Sequence, residues 1–195
     1  MAKPPPGSTA NTSASVGANK RAFALSKVYG LLETGPVVLL TTSHKGKDNV
    51  MTMSWHTMLE FEPPLIGCVV SGNDFSFAAL KATRQCVINI PTRELAAQTV
   101  ACGNSSGRST DKFQTLGLST KPASMVDAPL INACYASLEC RVVDTALVNR
   151  YNFFILEVLK AWVDTTVKQP CTLHHRGKGK FMLAGDEIRL RSKMR

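Results

Sequence analysis

Short β-prone apolar runs, each halted by a turn signal, set the strongest limit on what this chain can fold into. Val37–Thr42 follows Gly35–Pro36 and leads into the polar turn Ser43–Asp48, with Gly46 at its centre. Asn49–Met58 alternates, with Met51, Met53 and Trp55 on one side and Thr52, Ser54 and His56 on the other. That alternation predicts one strand, paired antiparallel with the run before it and packing its methionines and tryptophan in the core. Pro63–Pro64 precedes a buried strand at Leu65–Ser71, and Pro91 closes another at Cys86–Ile90. Longer β-rich runs follow at Tyr135–Asp144 and Asn152–Val163, with a candidate last strand at Phe181–Leu183. Helical spacing is confined to short stretches. These are Phe23–Leu32, Phe75–Thr83 capped by Asn73 or Asp74, Arg93–Ala101, and Asp111–Leu116 ended by Gly117. Regular βαβ alternation is missing, which argues against a Rossmann sheet, and no repeat of fixed period emerges. An antiparallel β-barrel with flanking helices fits the order.

Composition narrows the functional classes. Of the 195 residues 44% are hydrophobic, enough for a sizeable core, and no apolar stretch is long enough for a transmembrane helix. Residues 1–20 are rich in Pro, Ser, Ala, Gly and Asn and read as a disordered tail, leaving residues 21–195 as one domain. The tail lacks the apolar core of a secretory signal, so a cytoplasmic protein is expected. The six cysteines are scattered without a C-x-x-C pair, which suggests reduced thiols rather than disulfides or a zinc site. Net charge is +9, but the basic residues are dispersed except at Arg176–Lys180 and Arg189–Arg195. These clusters lack interleaved aromatics, so a small anionic ligand is favoured over nucleic acid.

Several segments carry candidate chemistry. Thr52 and Ser54 share a strand face that offers hydroxyls either to a flat polar ligand or to water. SGNDFSFAAL brings Ser71, Gly72, Asn73 and Ser76 to a strand-to-helix junction, suited to a phosphate or to a plain N-cap. Asp74 would repel an anion there unless turned away. The loop CGNSSGRST is not a P-loop, because three residues separate Gly103 from Gly107 and Arg108 stands in for lysine. It remains a hydroxyl-rich loop, either an ordinary surface loop or one from which Arg108 and Lys112 reach an anion. His174 and His175 point oppositely if they lie on a strand, which is poor metal geometry, while His56 could share the face of Thr52 and Ser54. No hydrolase signature is present.

Taken in order, these segments resemble the flavin reductase-like, FMN-binding split-barrel proteins, within them the flavoredoxin-type branch. The blocks are GPVVLLTT, NVMTMSWHTMLEFEPP, SGNDFSFAALKATRQCVINIP, CGNSSGRSTDKFQTLGLSTKPA and DAPLINACYASLECRVVD. The resemblance implies a mainly β fold, a six-stranded antiparallel split β-barrel with flanking helices, acting as a homodimer with FMN near the subunit interface. It implies that Met51, Thr52, Met53, Ser54 and Trp55 run along the isoalloxazine. Ser71, Gly72, Asn73, Phe75, Ser76 and Phe77 would lie toward the ribityl chain and phosphate, with Arg108 and Lys112 approaching the flavin or its phosphate. The implied activity is hydride transfer from NADH or NADPH to flavin, with no catalytic acid, base or metal. Reduced flavin would then serve a partner oxygenase or another acceptor. Two alternatives stand beside this: an FMN-binding electron carrier with little NAD(P)H activity, and a non-enzymatic nucleic-acid module using the basic clusters. His175 and Phe181 receive no role.

Overall fold

The computed structural model describes residues 20–28 and 35–191. One antiparallel sheet dominates it, built from β1 (Lys20–Phe23), β2 (Val38–His44), β3 (Lys47–Met53), β4 (His56–Glu60), β5 (Leu65–Val69), β6 (Gln85–Ile90), β9 (Ala136–Asp144) and β10 (Phe153–Asp164). Its order is β3-β2-β6-β9-β10-β5-β4, with β1 added on β10. Two small ladders sit outside it: β7 (Thr120–Lys121) with β8 (Leu130–Ile131), and β11 (Leu173–His175) with β12 (Phe181–Leu183). The helices are α1 (Phe75–Thr83), α2 (Ala96–Asn104), α3 (Lys112–Thr115) and α4 (Val148–Tyr151). The expected class, mainly β and antiparallel with flanking helices, is the one observed.

Sheet topology explains the split. β3 and β4 are the two ends of the ladder order yet are joined by only Ser54 and Trp55. A linker of that length spans at most about 11 Å, so the sheet must curl until its first and last strands meet at one corner. They meet there without pairing to each other. β10 is 12 residues long, and its full length holds the barrel together. β9 lines one of its edges, while β5 takes the first half of the other and β1 the second half. The sheet therefore carries eight strands where the resemblance implied six.

Period-two alternation fills the barrel. Val38 and Leu40, Ile66 and Cys68, Ile88 and Ile90, Leu138 and Cys140, and Phe154 and Leu156 point inward together with Leu80 of α1. The unbroken apolar run of β2 has a second cause. Leu39 faces the opposite side, where Val50, Leu95, Cys102, Leu118 and Ile131 form a separate cluster beneath α2. Two buried polar side chains, Glu139 and Asn89, tie the strands together. The Glu139 carboxylate accepts the Ser124 and Met125 amides and the Trp162 indole N–H, fastening the segment before β8 to β9 and β10. The Asn89 amide N–H donates to the Leu39 carbonyl, and its oxygen accepts from Ile131 and Ser137.

Four expectations are corrected. Residues 20–23 form β1, followed by a 3-10 turn at Leu25–Lys27, where the periodicity suggested a helix from Phe23. Pairing with β10 overrides the helical spacing, and the rest of that predicted helix, like the tail at 1–19, lies largely outside the described residues. Asn49–Met58 is two strands, because the corner at Ser54–Trp55 sends β4 onto β5. Trp55 is consequently 71% exposed rather than in the core. The turn after β2 is tighter than expected: Lys45 and Gly46 alone form it, both at positive φ (52° and 72°), as a two-residue type I′ hairpin requires. Finally, α2 runs on to Asn104, so Cys102–Asn104 are its last turn and not loop. All six cysteines are free, and five of them are buried.

Candidate functional site

β3 ends the sheet, so among the described residues its outer edge has no strand partner. α1, α2 and α3 pack beside it instead, and two cavities open between them. One, of about 290 Å³, is lined by Thr52 and Ser54 of the β3 end, Thr99 and Gly103 of α2, and His175, Gly179 and Phe181 of the last hairpin. The other, of about 200 Å³, is lined by Asn49, Met51 and Thr52, by Asn73, Asp74 and Phe75 at the start of α1, and by Ser105, Ser106, Gly107 and Lys112. Thr52 and Gly103 belong to both, so the cavities adjoin along β3.

The first cavity is hydroxyl-lined. Thr52 Oγ1 donates to the Thr99 carbonyl at 2.5 Å, which commits its proton and leaves its lone pairs as acceptors. Thr99 itself is buried, and its own Oγ1 has no hydrogen-bond partner. Such an orphan costs about 1–3 kcal/mol unless a ligand satisfies it. His175 is exposed and its ring sits 5.3 Å from Phe181 across the hairpin, whereas His174 points inward to Thr172 at 3.0 Å. The opposite orientations expected of this pair are thus observed.

The second cavity has one lysine and one carboxylate in its lining, Lys112 and Asp74, and two further cations beside it. Lys112 is only 4% exposed, and its Nζ donates to the Cys102 carbonyl at 2.8 Å. Burial lowers its pKa, an effect opposed by Cys102 and Asp74. Phe75 is flanked by Lys47, whose Nζ lies 4.9 Å from the ring centre, and by Arg108 at 5.8 Å. Lys47 Nζ donates to the Gly107 carbonyl at 2.7 Å and the Arg108 guanidinium to the Asn73 carbonyl at 3.2 Å, so both cations are tethered at the rim. Asp74 occupies the N-cap position of α1 without capping it. Its carboxylate turns back to accept the Ser71 amide at 3.1 Å.

The sequence-predicted residues therefore divide. Met51, Thr52, Ser54, Asn73, Phe75 and Lys112 line the cavities, with Arg108 bonded to their rim. Ser71 and Gly72 lie in the turn just before α1, and the buried Ser76 hydroxyl accepts from Asn49 behind the cavity wall. Met53 is in the core, Phe77 packs edge-on against Phe154 at 5.5 Å, and Trp55 faces outward, so these three do not line either cavity. His56 also lies elsewhere, its Nε2–H donating to the Pro36 carbonyl at 2.7 Å, and burial lowers its pKa against that bond. Sequence reasoning missed Asn49, Thr99, Gly103, Gly107, His175 and Phe181. The two glycines were visible in CGNSSGR, but the failed P-loop match concealed their use as close-packed walls. An added Cβ on Gly107 would sit 2.7 Å from Phe75. Among the described residues there is no metal-binding cluster, and no helix is long and apolar enough to cross a membrane.

The model of the flavin reductase like domain matches residues 32–181, a span that encloses both cavities. The chain belongs to the flavin reductase-like family. Among its relatives, the uncharacterized protein YddH of Escherichia coli is 30% identical over 172 residues, covering 81% of this chain and 91% of that one. An FMN-binding domain of a flavin reductases-like enzyme from Shewanella baltica superposes with a TM-score of 0.85 at 28% identity, covering 90% of this chain and all of that one. Flavoredoxin from Methanosarcina acetivorans superposes at 0.70 with 26% identity, covering 81% and 89% of the two chains. Of these proteins, the Shewanella baltica domain is described as FMN-binding.

Proposed function

We propose that this chain is an FMN-binding oxidoreductase that accepts a hydride from NADH or NADPH and passes the electrons on to a partner or acceptor. The observation that carries the reading is the pair of adjoining cavities along the edge strand β3, one bearing the hydroxyls of Thr52 and Ser54 and the other bearing Lys112, with Lys47 and Arg108 tethered at its rim. A flat polar ring joined to a phosphate has that division of chemistry. The unpartnered Thr99 hydroxyl is a further sign that the hydroxyl-lined cavity is built for a ligand.

In this reading Thr52, Ser54 and Thr99 hold the polar edge of FMN, and Met51 lines the neighbouring cavity further along β3. Asn73, Phe75, Arg108 and Lys112, with Ser105 and Ser106, hold the phosphate end. Bound FMN supplies the redox chemistry, accepting a hydride and releasing electrons. The protein's part is placement and electrostatics. Lys112 and Arg108 offset the ligand's negative charge, the Asp74 carboxylate in the same cavity is engaged by the Ser71 amide, and the β11–β12 hairpin shields the ring side from water. No side-chain acid or base is needed.

The chain acts in the cytoplasm as a homodimer, with Trp55 and Leu59, both exposed at the β4 end of the sheet, as the apolar surface to be covered. Sedimentation equilibrium at twice the 21.1 kDa chain mass checks this. The acceptor is a partner oxygenase or another electron-accepting protein. Likeness to a flavoredoxin favours a second reading, an FMN electron carrier slow with free nucleotide. Anaerobic addition of NADH or NADPH to the FMN-loaded protein separates them. Bleaching of the flavin bands supports the reductase, and flavin that is retained but stays oxidised contradicts it.

A further inference from the structure

The turn between β11 and β12 reads Arg176–Gly177–Lys178–Gly179–Lys180, three cations and no acid in five residues. It is closed by the Arg176 amide bonding the Lys180 carbonyl at 2.8 Å and the Lys180 amide bonding the Gly177 carbonyl at 3.0 Å. Its three central residues all take positive φ, at 83°, 49° and 70°. Glycine does so freely, but a lysine in the left-handed region costs about 1 kcal/mol, a cost retained where the side chain has a use. The turn is also part of a cavity wall, since Gly179 lines the hydroxyl-lined cavity with its flanking residues His175 and Phe181. No carboxylate lines that cavity, and among the described residues Arg176, Lys178 and Lys180 have no ion-pair partner. All three are exposed.

We infer that this turn recognises the 2′-phosphate of NADPH and makes the protein prefer NADPH over NADH. The inference rests on the reductase reading above. A nicotinamide that reaches a flavin beside Thr52 and Ser54 must enter this cavity, and the rest of the dinucleotide must leave over its rim. The basic turn forms part of that rim through Gly179. The two nucleotides differ only in a dianionic group on the adenosine ribose, so unpaired cations at that place discriminate between them by charge-assisted hydrogen bonds.

Binding of adenosine 2′,5′-bisphosphate and of 5′-AMP to the FMN-loaded protein, measured by calorimetry, tests this without turnover. The bisphosphate is expected to bind about ten-fold tighter or more. Lys178→Asn combined with Lys180→Ser should remove that advantage while leaving the melting temperature and 5′-AMP affinity unchanged. Asparagine is chosen because it tolerates the left-handed backbone. A charge-matched control, Arg189→Ser with Arg191→Ser, should keep the advantage. Equal affinity for the two ligands in the native protein, or an equal loss in the control, overturns the inference. Parallel bleaching experiments keep the two readings apart. Flavin that stays oxidised with both nucleotides removes the reductase reading, while the bisphosphate comparison still decides the turn. Bleaching at equal efficiency by NADH and NADPH upholds the reductase and overturns the turn's role.

Discussion

Thr99 concentrates the argument at the scale of single residues. Its carbonyl is held by Thr52, yet its hydroxyl is buried with nothing to bond. Removing that hydroxyl should relieve the free protein and injure the loaded one. Thr99→Val is expected to leave the ligand-free melting temperature unchanged or higher, and to weaken FMN binding by about 0.5–1.5 kcal/mol. Parallel melting and fluorescence titration of the variant check both signs. Glu139 is the opposite case, a buried carboxylate fully engaged by backbone amides, Ser124 and Trp162. Glu139→Ala leaves those donors stranded and should cost about 3 kcal/mol in a urea unfolding curve. FMN affinity of the folded fraction should be unaffected, because Glu139 lines neither cavity.

Among the elements, strand periodicity was largely legible, since β2, β5, β6, β9, β10 and β12 fall where alternation and apolar runs put them. Local pattern could not separate β3 from β4. Ser54 and Trp55 continue the alternation, and the break arises because β4 pairs with β5 across the closing barrel. β1 was equally hidden, its partner β10 lying more than a hundred residues along the chain. The candidate site was half legible for the same reason. Its hydroxyls on β3 and the start of α1 are local signals, whereas Thr99, His175 and Phe181 come from elements that only the fold brings together. Gly107 shows how tightly these elements approach. A methyl group there would meet Asn49 and Phe75, so Gly107→Ala should push the segment outward and distort the second cavity. FMN affinity is expected to fall about ten-fold or more and riboflavin affinity much less. Equal losses for the two ligands would place the phosphate elsewhere.

At the scale of the whole molecule, the buried thiols make stability depend on alkaline pH. Burial pushes Cys102 up to about 11 and Cys134 up to about 12, and raises Cys68, while Cys86 is raised first by its bond with Cys140. Unfolded thiols ionise near pH ~8.5, so above that pH the native state holds more protons than the unfolded state. The stability these groups confer is intact below pH ~8.5 and is lost as pH rises toward the folded values. Lys20 acts in reverse, because burial pushes it down to about 8 and its contribution grows as pH rises from there toward its unfolded value. Lys112, lowered by burial as well, acts in the same sense, and the two lysines are outweighed by four thiols. The urea midpoint under reducing conditions should therefore be lower at pH 10 than at pH 8, and a higher midpoint at pH 10 would contradict this accounting. The central claim, that flavin occupies the two cavities along β3, is tested most directly at Gly103, which lines both. Gly103 lies in the last turn of α2, and its Cβ position is 3.6 Å from Thr52, so a larger side chain there fills the shared space without opposing the helix. The measurement is an FMN titration of the native chain against Gly103→Leu. The account predicts a folded variant, melting no lower than the native chain, whose FMN affinity has fallen by roughly a hundred-fold. Undiminished FMN binding by the folded variant would show that the flavin lies somewhere else.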